Sequence, residues 1–289
     1  MLTTRILHAW RPAILSRGYK RTSKGFQLLP AKADATVYGD EPVLFKSFFP
    51  EVPVAVCENR PQGIEKLKHQ HPDTGVVILD DAFQHRRLKP GLSILLIEWS
   101  SLKGRQFLLP AGDLRDIWSR RWKADIIVIS KCPDNPSEEQ KRGMLKKLMP
   151  NPNQRIHFSW YAYSHLLDFE GKRHEIGSLA ECAVLLVSGL ANTDYLLEWI
   201  NKTAKTVTTT TYPDHHKYTP SDIHKIHQKF GKFATFILTT EKDRVKLEPL
   251  IPNEFKKYWL SIQIEVRMDS PEKFENEIIS YVKTNSGNC

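Results

Sequence analysis

The sequence predicts a layered α/β protein with parallel strands at its centre. Three observations point there. Short apolar runs recur along the chain without the polar alternation of a one-sided sheet, as strands covered on both faces do. Polar or amphipathic stretches of helical length lie between them. Carboxylates, threonines, histidines and arginines gather where several runs stop, and ligands of open α/β sheets sit beyond the carboxyl ends of strands.

The predicted strands are Ala13–Ser16, Val54–Cys57, Val76–Leu79, Ile94–Ile97, Ile126–Ser130, Val184–Ser188 and Phe236–Thr239. Helices are expected over Val43–Phe49, Gln62–His71 and Ser137–Leu148. The stretch VLLVSGLANTDYLLEWI reads as strand, glycine turn and amphipathic helix. Near the end, SPEKFENEIISYVKT begins with a Ser N-cap and a proline in the first turn. Proline and asparagine concentrate in MPNPNQR, which marks a boundary near 150–157. Residues 156–180 are expected to form a hairpin, turning at FEGK, that joins a core of residues 1–155 to a smaller α/β unit of residues 181–289.

Of the 289 residues, 40% are hydrophobic and 26% charged, an ordinary globular balance. No apolar run approaches the roughly 18 residues that cross a bilayer, and the first twenty lack the apolar core of a signal peptide. Four scattered cysteines form no CxxC pair and read as thiols in a reducing compartment. The net charge of +9 suits an anionic partner. The basic residues are spread along the chain, so no nucleic-acid partner is expected.

Five places are suited to chemistry. Asp80 and Asp81 end the Val76–Leu79 run, with Gln84, His85, Arg86 and Arg87 at once behind them; strand-end carboxylates of this kind either hold Mg²⁺ or are plain exposed loop acids. Asp40, in YGDEP, is either a reactive carboxylate or a helix N-cap. In YPDHHKY, Asp214 beside His215 and His216 serves general-base work, a metal or a turn. Thr239, Thr240, Lys242 and Asp243 form either a phosphate contact or a helix start. Arg115, Arg120 and Arg121 are suited to phosphates. Trp118 and Trp122, at i and i+4, either pack into the core or rest on lipid.

In order and spacing, LSRGYKR, GDEP, ILDDAFQHR, KPGLSILL, LLPAGDLRD, ISKCP, LLVSGLAN, PDHH and TTEKD resemble the tetraacyldisaccharide 4'-kinase family of lipid A biosynthesis, from about Ile14 to Leu247. The resemblance implies a P-loop-kinase-like parallel core and transfer of the γ-phosphate of ATP, with Mg²⁺, to the 4'-hydroxyl of an acylated glucosamine disaccharide. It implies a peripheral enzyme on the cytoplasmic face of the inner membrane. It assigns Mg²⁺ to Asp81, with Asp80 beside it, the proton of the sugar hydroxyl to Asp40, and a paired role to His215. It makes Gln84, His85, Arg17, Arg115, Thr240 and Lys242 active-site or substrate contacts.

One family feature has no counterpart. No pair among the fourteen glycines forms GxxxxGK, and neither Gly171-Lys172 nor Gly231-Lys232 is followed by Ser or Thr. The first strand and its phosphate loop are thus expected to be absent, together with any membrane-associating segment before them. Phosphoryl transfer depends on positioned cations and amides, so turnover is expected to be impaired or lost. A remnant that only binds the lipid acceptor is the alternative, with a DHH-type metal-dependent phosphoesterase, suggested by PDHH, as the more distant one.

Overall fold

A computed structural model describes residues 2–85, 88–103, 118–189, 193–214 and 216–285. After a short helix α1 (Leu2–Ile6), β1 (Pro12–Ser16) opens a four-stranded sheet. It continues through β2 (Gln27–Leu28), α2 (Ala35–Tyr38), α3 (Asp40–Phe48), β3 (Val54–Val56), α4 (Arg60–Gln70) and β4 (Val76–Leu79). The strand order is β2-β3-β1-β4, and β1 runs parallel to both neighbours.

Successive side chains of a strand point to opposite faces, which is why β1 is apolar throughout. Ala13 and Leu15 pack with Ala55, Cys57 and Leu67 on one face. Ile14 packs with Val43, Val54 and Val56 on the other. Helix α4 lies close against β1 because Gly63 carries no side chain; a Cβ there would come within 2.9 Å of Leu15 and Cys57.

The rest of the described chain forms one larger sheet. Its elements are β5 (Ile94–Glu98), β6 (Ile126–Ser130), α5 (Glu138–Leu148), β7 (Arg155–Asp168), β8 (Arg173–His174), β9 (Ala183–Ser188), α6 (Asp194–Thr203), β10 (Thr206–Thr211), α7 (Pro220–Phe233), β11 (Phe236–Thr240), α8 (Glu241–Leu247), β12 (Trp259–Met268) and α9 (Pro271–Asn285). The order is β10-β9-β11-β12-β7-β6-β5, with β8 against β7.

The sheets divide the chain between β4 and β5, which is not where the proline-rich boundary was expected. Strand β7 is the reason. Its 14 residues span roughly 45 Å. The first few pair parallel with β6, and the remainder pair antiparallel with β12. The turn at FEGK does form, with Leu166 and Leu167 opposite His174 and Arg173. The hairpin is a small appendage of a strand that runs through the sheet, rather than a free-standing connector. Helix α9 then returns to the first unit: Phe274, Ile278 and Val282 pack with Leu7, Val76 and Ile78 as well as Ile126 and Val128.

Candidate functional site where the two sheets meet

The twin acids behave differently. Asp80 is partly buried and its Oδ2 accepts a hydrogen bond from Ser16 Oγ at 2.9 Å, joining the carboxyl ends of β4 and β1. Burial pushes its carboxyl above the usual range; the Ser16 hydroxyl opposes that shift and the neighbouring Asp81 adds to it. Asp81 is exposed and holds a left-handed backbone, φ 43°, a conformation aspartate tolerates but seldom adopts.

The cation facing both acids is Arg60. It is 2% exposed, donates to the Cys57 and Asp80 carbonyls at 3.0 and 2.7 Å, and attracts both carboxylates. The sequence reading passed over it. A signal was present: Arg60 occupies the first turn of α4 behind the cap Asn59, where the helix macrodipole favours acids and disfavours cations. His85 follows the acids with Nδ1 buried and, among the described residues, without a hydrogen-bond partner. Gln84 and Arg17 are exposed beside the same strand ends.

Asp40 is carried to this end by two glycines. Gly39, with φ 94° and ψ 153°, caps α3 in a region where only glycine is comfortable. A Cβ on it would lie 3.3 Å from Gly18 and from the Tyr19 carbonyl. The GDEP loop therefore rests on the loop leaving β1, two residues beyond Ser16. The carboxylate of Asp40, on the first residue of α3, meets Lys246 Nζ at 2.6 Å. Helix α3 belongs to the first sheet unit and α8 to the second.

Helix α8 also reaches the PDHH loop. Lys242 Nζ lies 3.4 Å from Asp214 Oδ1. Lys242 and Lys246 are one turn apart on the same helix face, with Cβ atoms roughly 5–6 Å apart. Two expected catalytic motifs, 174 positions apart (214 − 40) in the chain, are thus held by adjacent lysines. Val245, between them in sequence, packs into the first unit's core.

The start of α8 is locked from the other side by Asp243, which is fully buried. Its carboxylate accepts from Gly189 N at 3.0 Å, Tyr218 Oη at 3.2 Å and Thr240 Oγ1 at 2.9 Å. Thr240 in turn accepts from Asp243 N and caps the helix. Of the two readings left open for TTEKD, the helix start is realised through Thr240. His216 pairs with Asp222 at 3.1 Å and stacks on Tyr212, which ties it into the loop's own support.

His215, Arg115, Arg86 and Arg87 lie outside the described residues. Arg120 does reach the acidic segment, donating to the Phe83 carbonyl at 3.3 Å and lying over the Phe83 ring. Arg121 is buried between the rings of Trp118 and Trp122 at 4.6 and 4.5 Å.

A family model described as tetraacyldisaccharide-1-P 4'-kinase, LpxK, matches residues 1–283. The chain belongs to the tetraacyldisaccharide 4'-kinase family. It is 38% identical over 294 residues to the tetraacyldisaccharide 4'-kinase of Bacteroides thetaiotaomicron, a match covering 96% of this chain and 77% of that protein. It is 37% identical over 281 residues to the enzyme so named in Flavobacterium johnsoniae, covering 96% and 79%. Among solved structures it resembles an "apo" form LpxK from Aquifex aeolicus in complex with ATP, with a TM-score of 0.72 and 27% identity over 96% of this chain and 81% of that one. Tetraacyldisaccharide 4'-kinases are phosphotransferases, and the α/β core found here is that of an LpxK.

The donor set near Asp81 suits the groups such a kinase employs. Two carboxylates and the Ser16 hydroxyl are hard oxygen donors of the kind Mg²⁺ takes, with water and phosphate oxygens completing its shell. The unbonded, buried Nδ1 of His85 is a polar atom that a phosphate oxygen or nucleotide would satisfy. Among the described residues no helix is long and apolar enough to cross a membrane.

Proposed function

We propose that the chain transfers the γ-phosphate of ATP to the 4'-hydroxyl of a tetraacylated glucosamine disaccharide 1-phosphate, a step of lipid A synthesis. The substrate is a membrane lipid, so the protein works peripherally on the cytoplasmic face of the inner membrane. The observation that carries this reading is the convergence on α8: Asp40 at 2.6 Å from Lys246 and Asp214 at 3.4 Å from Lys242, beside the strand ends bearing Asp80 and Asp81.

In this reading Asp81 and Asp80 hold Mg²⁺, which when bound neutralises charge on the terminal phosphates. Asp40 accepts the proton of the sugar hydroxyl as the new P–O bond forms, with His215 as its partner. The role assigned to Arg17, Arg115, Gln84 and His85 is contact with the transferred phosphate. Lys242 and Thr240 hold the second unit's side of the cleft, one through Asp214 and the other through the α8 cap.

Transfer of label from [γ-³²P]ATP to the acylated disaccharide tests the activity. Asp81→Ala is expected to abolish transfer. Asp40→Ala and His215→Ala are expected to lower kcat more than they raise KM. A wild-type chain that binds the acceptor yet transfers nothing would replace the kinase reading with that of a lipid-binding remnant.

A further inference from the structure

We propose that Lys246 is a positioning residue for the phosphotransfer: it reaches across from the second sheet unit to orient the Asp40 carboxylate toward the sugar hydroxyl. The inference rests on Asp40 being the proton acceptor.

Three features of the lysine support it. First, its side chain is 9% exposed and its ammonium is buried, yet among the described residues no partner meets it with hydrogen-bond geometry. The 2.6 Å approach to Asp40 is therefore an oblique Coulomb contact. Burying an ammonium in this way is costly, and an apolar side chain of similar length serves packing at least as well. A lysine that works against stability at such a place calls for another reason to be there.

Second, α3 does not need it. Asp40 stands in the first helical turn, where the macrodipole already favours a carboxylate. The helix would keep its acid without a lysine from another sheet.

Third, the lysine is held rigidly. Leu247 beside it is fully buried, Val245 packs into the first unit's core, and Asp243 fastens the start of α8 to β9 and to Tyr218. A cation fixed from outside α3 holds the Asp40 carboxylate from the second unit's side of the cleft. The same face carries Lys242 to Asp214, so one rigid helix sets the spacing between the two motifs.

The test is a kinetic double-mutant cycle on the full chain, with Lys246→Met, Lys246→Arg, Asp40→Asn and the Asp40→Asn/Lys246→Met pair. Lys246→Met is expected to lower kcat by about 10–100-fold, the scale of a misplacement of about 1 Å, with acceptor KM changed less than about twofold. Lys246→Arg, which keeps the cation, is expected to recover part of that loss. In the Asp40→Asn background the lysine substitution is expected to cost nothing further, and the double variant is expected to melt no lower than wild type. Full kcat in Lys246→Met overturns the proposal, as does an undiminished loss in the Asp40→Asn background. If Asp40→Asn itself keeps wild-type turnover, the proton-acceptor reading fails. If that variant is dead and Lys246→Met is active, only the role of the lysine fails.

Discussion

Replacing Arg60 by methionine isolates the answer the fold gives to the repulsion between Asp80 and Asp81. Arg60 is buried and makes two charge-assisted hydrogen bonds, to the Cys57 and Asp80 carbonyls. Each such bond is worth about 1.5–3 kcal/mol. Methionine retains much of the apolar stem, so the loss falls mainly on those bonds and on the attraction to two carboxylates. A net cost of about 3–5 kcal/mol follows, the range found when one partner of a buried charge pair is removed. At about 2–4 °C per kcal/mol for a domain of this size, the melting temperature should fall by about 6–20 °C. Calorimetry with and without saturating magnesium then separates two roles. If Arg60 balances the twin acids, the variant should gain more from magnesium than the wild type does, because a cation enters a site that has lost its own. Lysine cannot reproduce the fork that spans both carbonyls, so Arg60→Lys should lie close to the methionine variant. A melting temperature within about 2 °C of wild type, or an equal magnesium response in the two proteins, would refute the reasoning.

Three other substitutions test the frame around the site. Gly39→Ala puts a side chain at φ 94°, ψ 153°, 3.3 Å from Gly18. It should cost about 2 kcal/mol and lower turnover at least about tenfold by moving Asp40; unchanged kinetics would detach the GDEP loop from the chemistry. Gly63→Ala gains about 1 kcal/mol of helix propensity but forces a Cβ to 2.9 Å from Leu15 and Cys57. Overpacking costs about 1–3 kcal/mol, so the melting temperature should drop slightly, and a rise would show that α4 has room to shift. Glu241 offers a pH test, since burial pushes its carboxyl up from 4.5 to about 7. The native state then holds the proton more tightly than the unfolded chain does, and stability falls as pH rises from about 4.5 through about 7. Because the group is partly exposed, the ideal linkage of about 3 kcal/mol shrinks to about 1 kcal/mol. Glu241→Gln should melt with wild type below pH 4.5 and about 2–4 °C above it at pH 8; a gap that ignores pH would refute this assignment.

The strands legible in the sequence are those buried on both faces. Ala13, Ile14 and Leu15 serve two cores at once, so the run has no polar gap. Strand β10 escaped notice because TVTTTT is an edge strand with little apolar contrast. Strand β12 escaped because WLSIQIEVRM is buried at both ends and exposed over Glu265–Arg267, so it never settles into a single pattern. An α-helical period puts Trp118 and Trp122 on one face. The segment Trp118–Lys123 is instead a 3₁₀ helix, whose three-residue turn places the rings on either side of Arg121.

The division between sheets was illegible for a stronger reason. MPNPNQR does form an irregular connection, but whether the strand after it starts a new sheet depends on partners far away. β7 finds β6 on one side and β12 on the other, and neither pairing leaves a mark within the segment itself.

The same distinction separates the site residues found early from those missed. Asp80, Asp81 and Thr240 stand where a strand ends, a local fact that the residues around them announce. Arg60 and Lys246 matter only through a partner, one at the next strand's end and the other on a different sheet. In sequence Lys246 is an ordinary cation of an amphipathic helix and Arg60 is marked only by its place in the first turn of α4; burial shows what each does. A cation that the fold hides beside an acid, against its desolvation cost, is a better pointer to the working part of this protein than any cation left in water. By that criterion Lys246 and Arg60 precede the exposed Arg17 as residues to substitute.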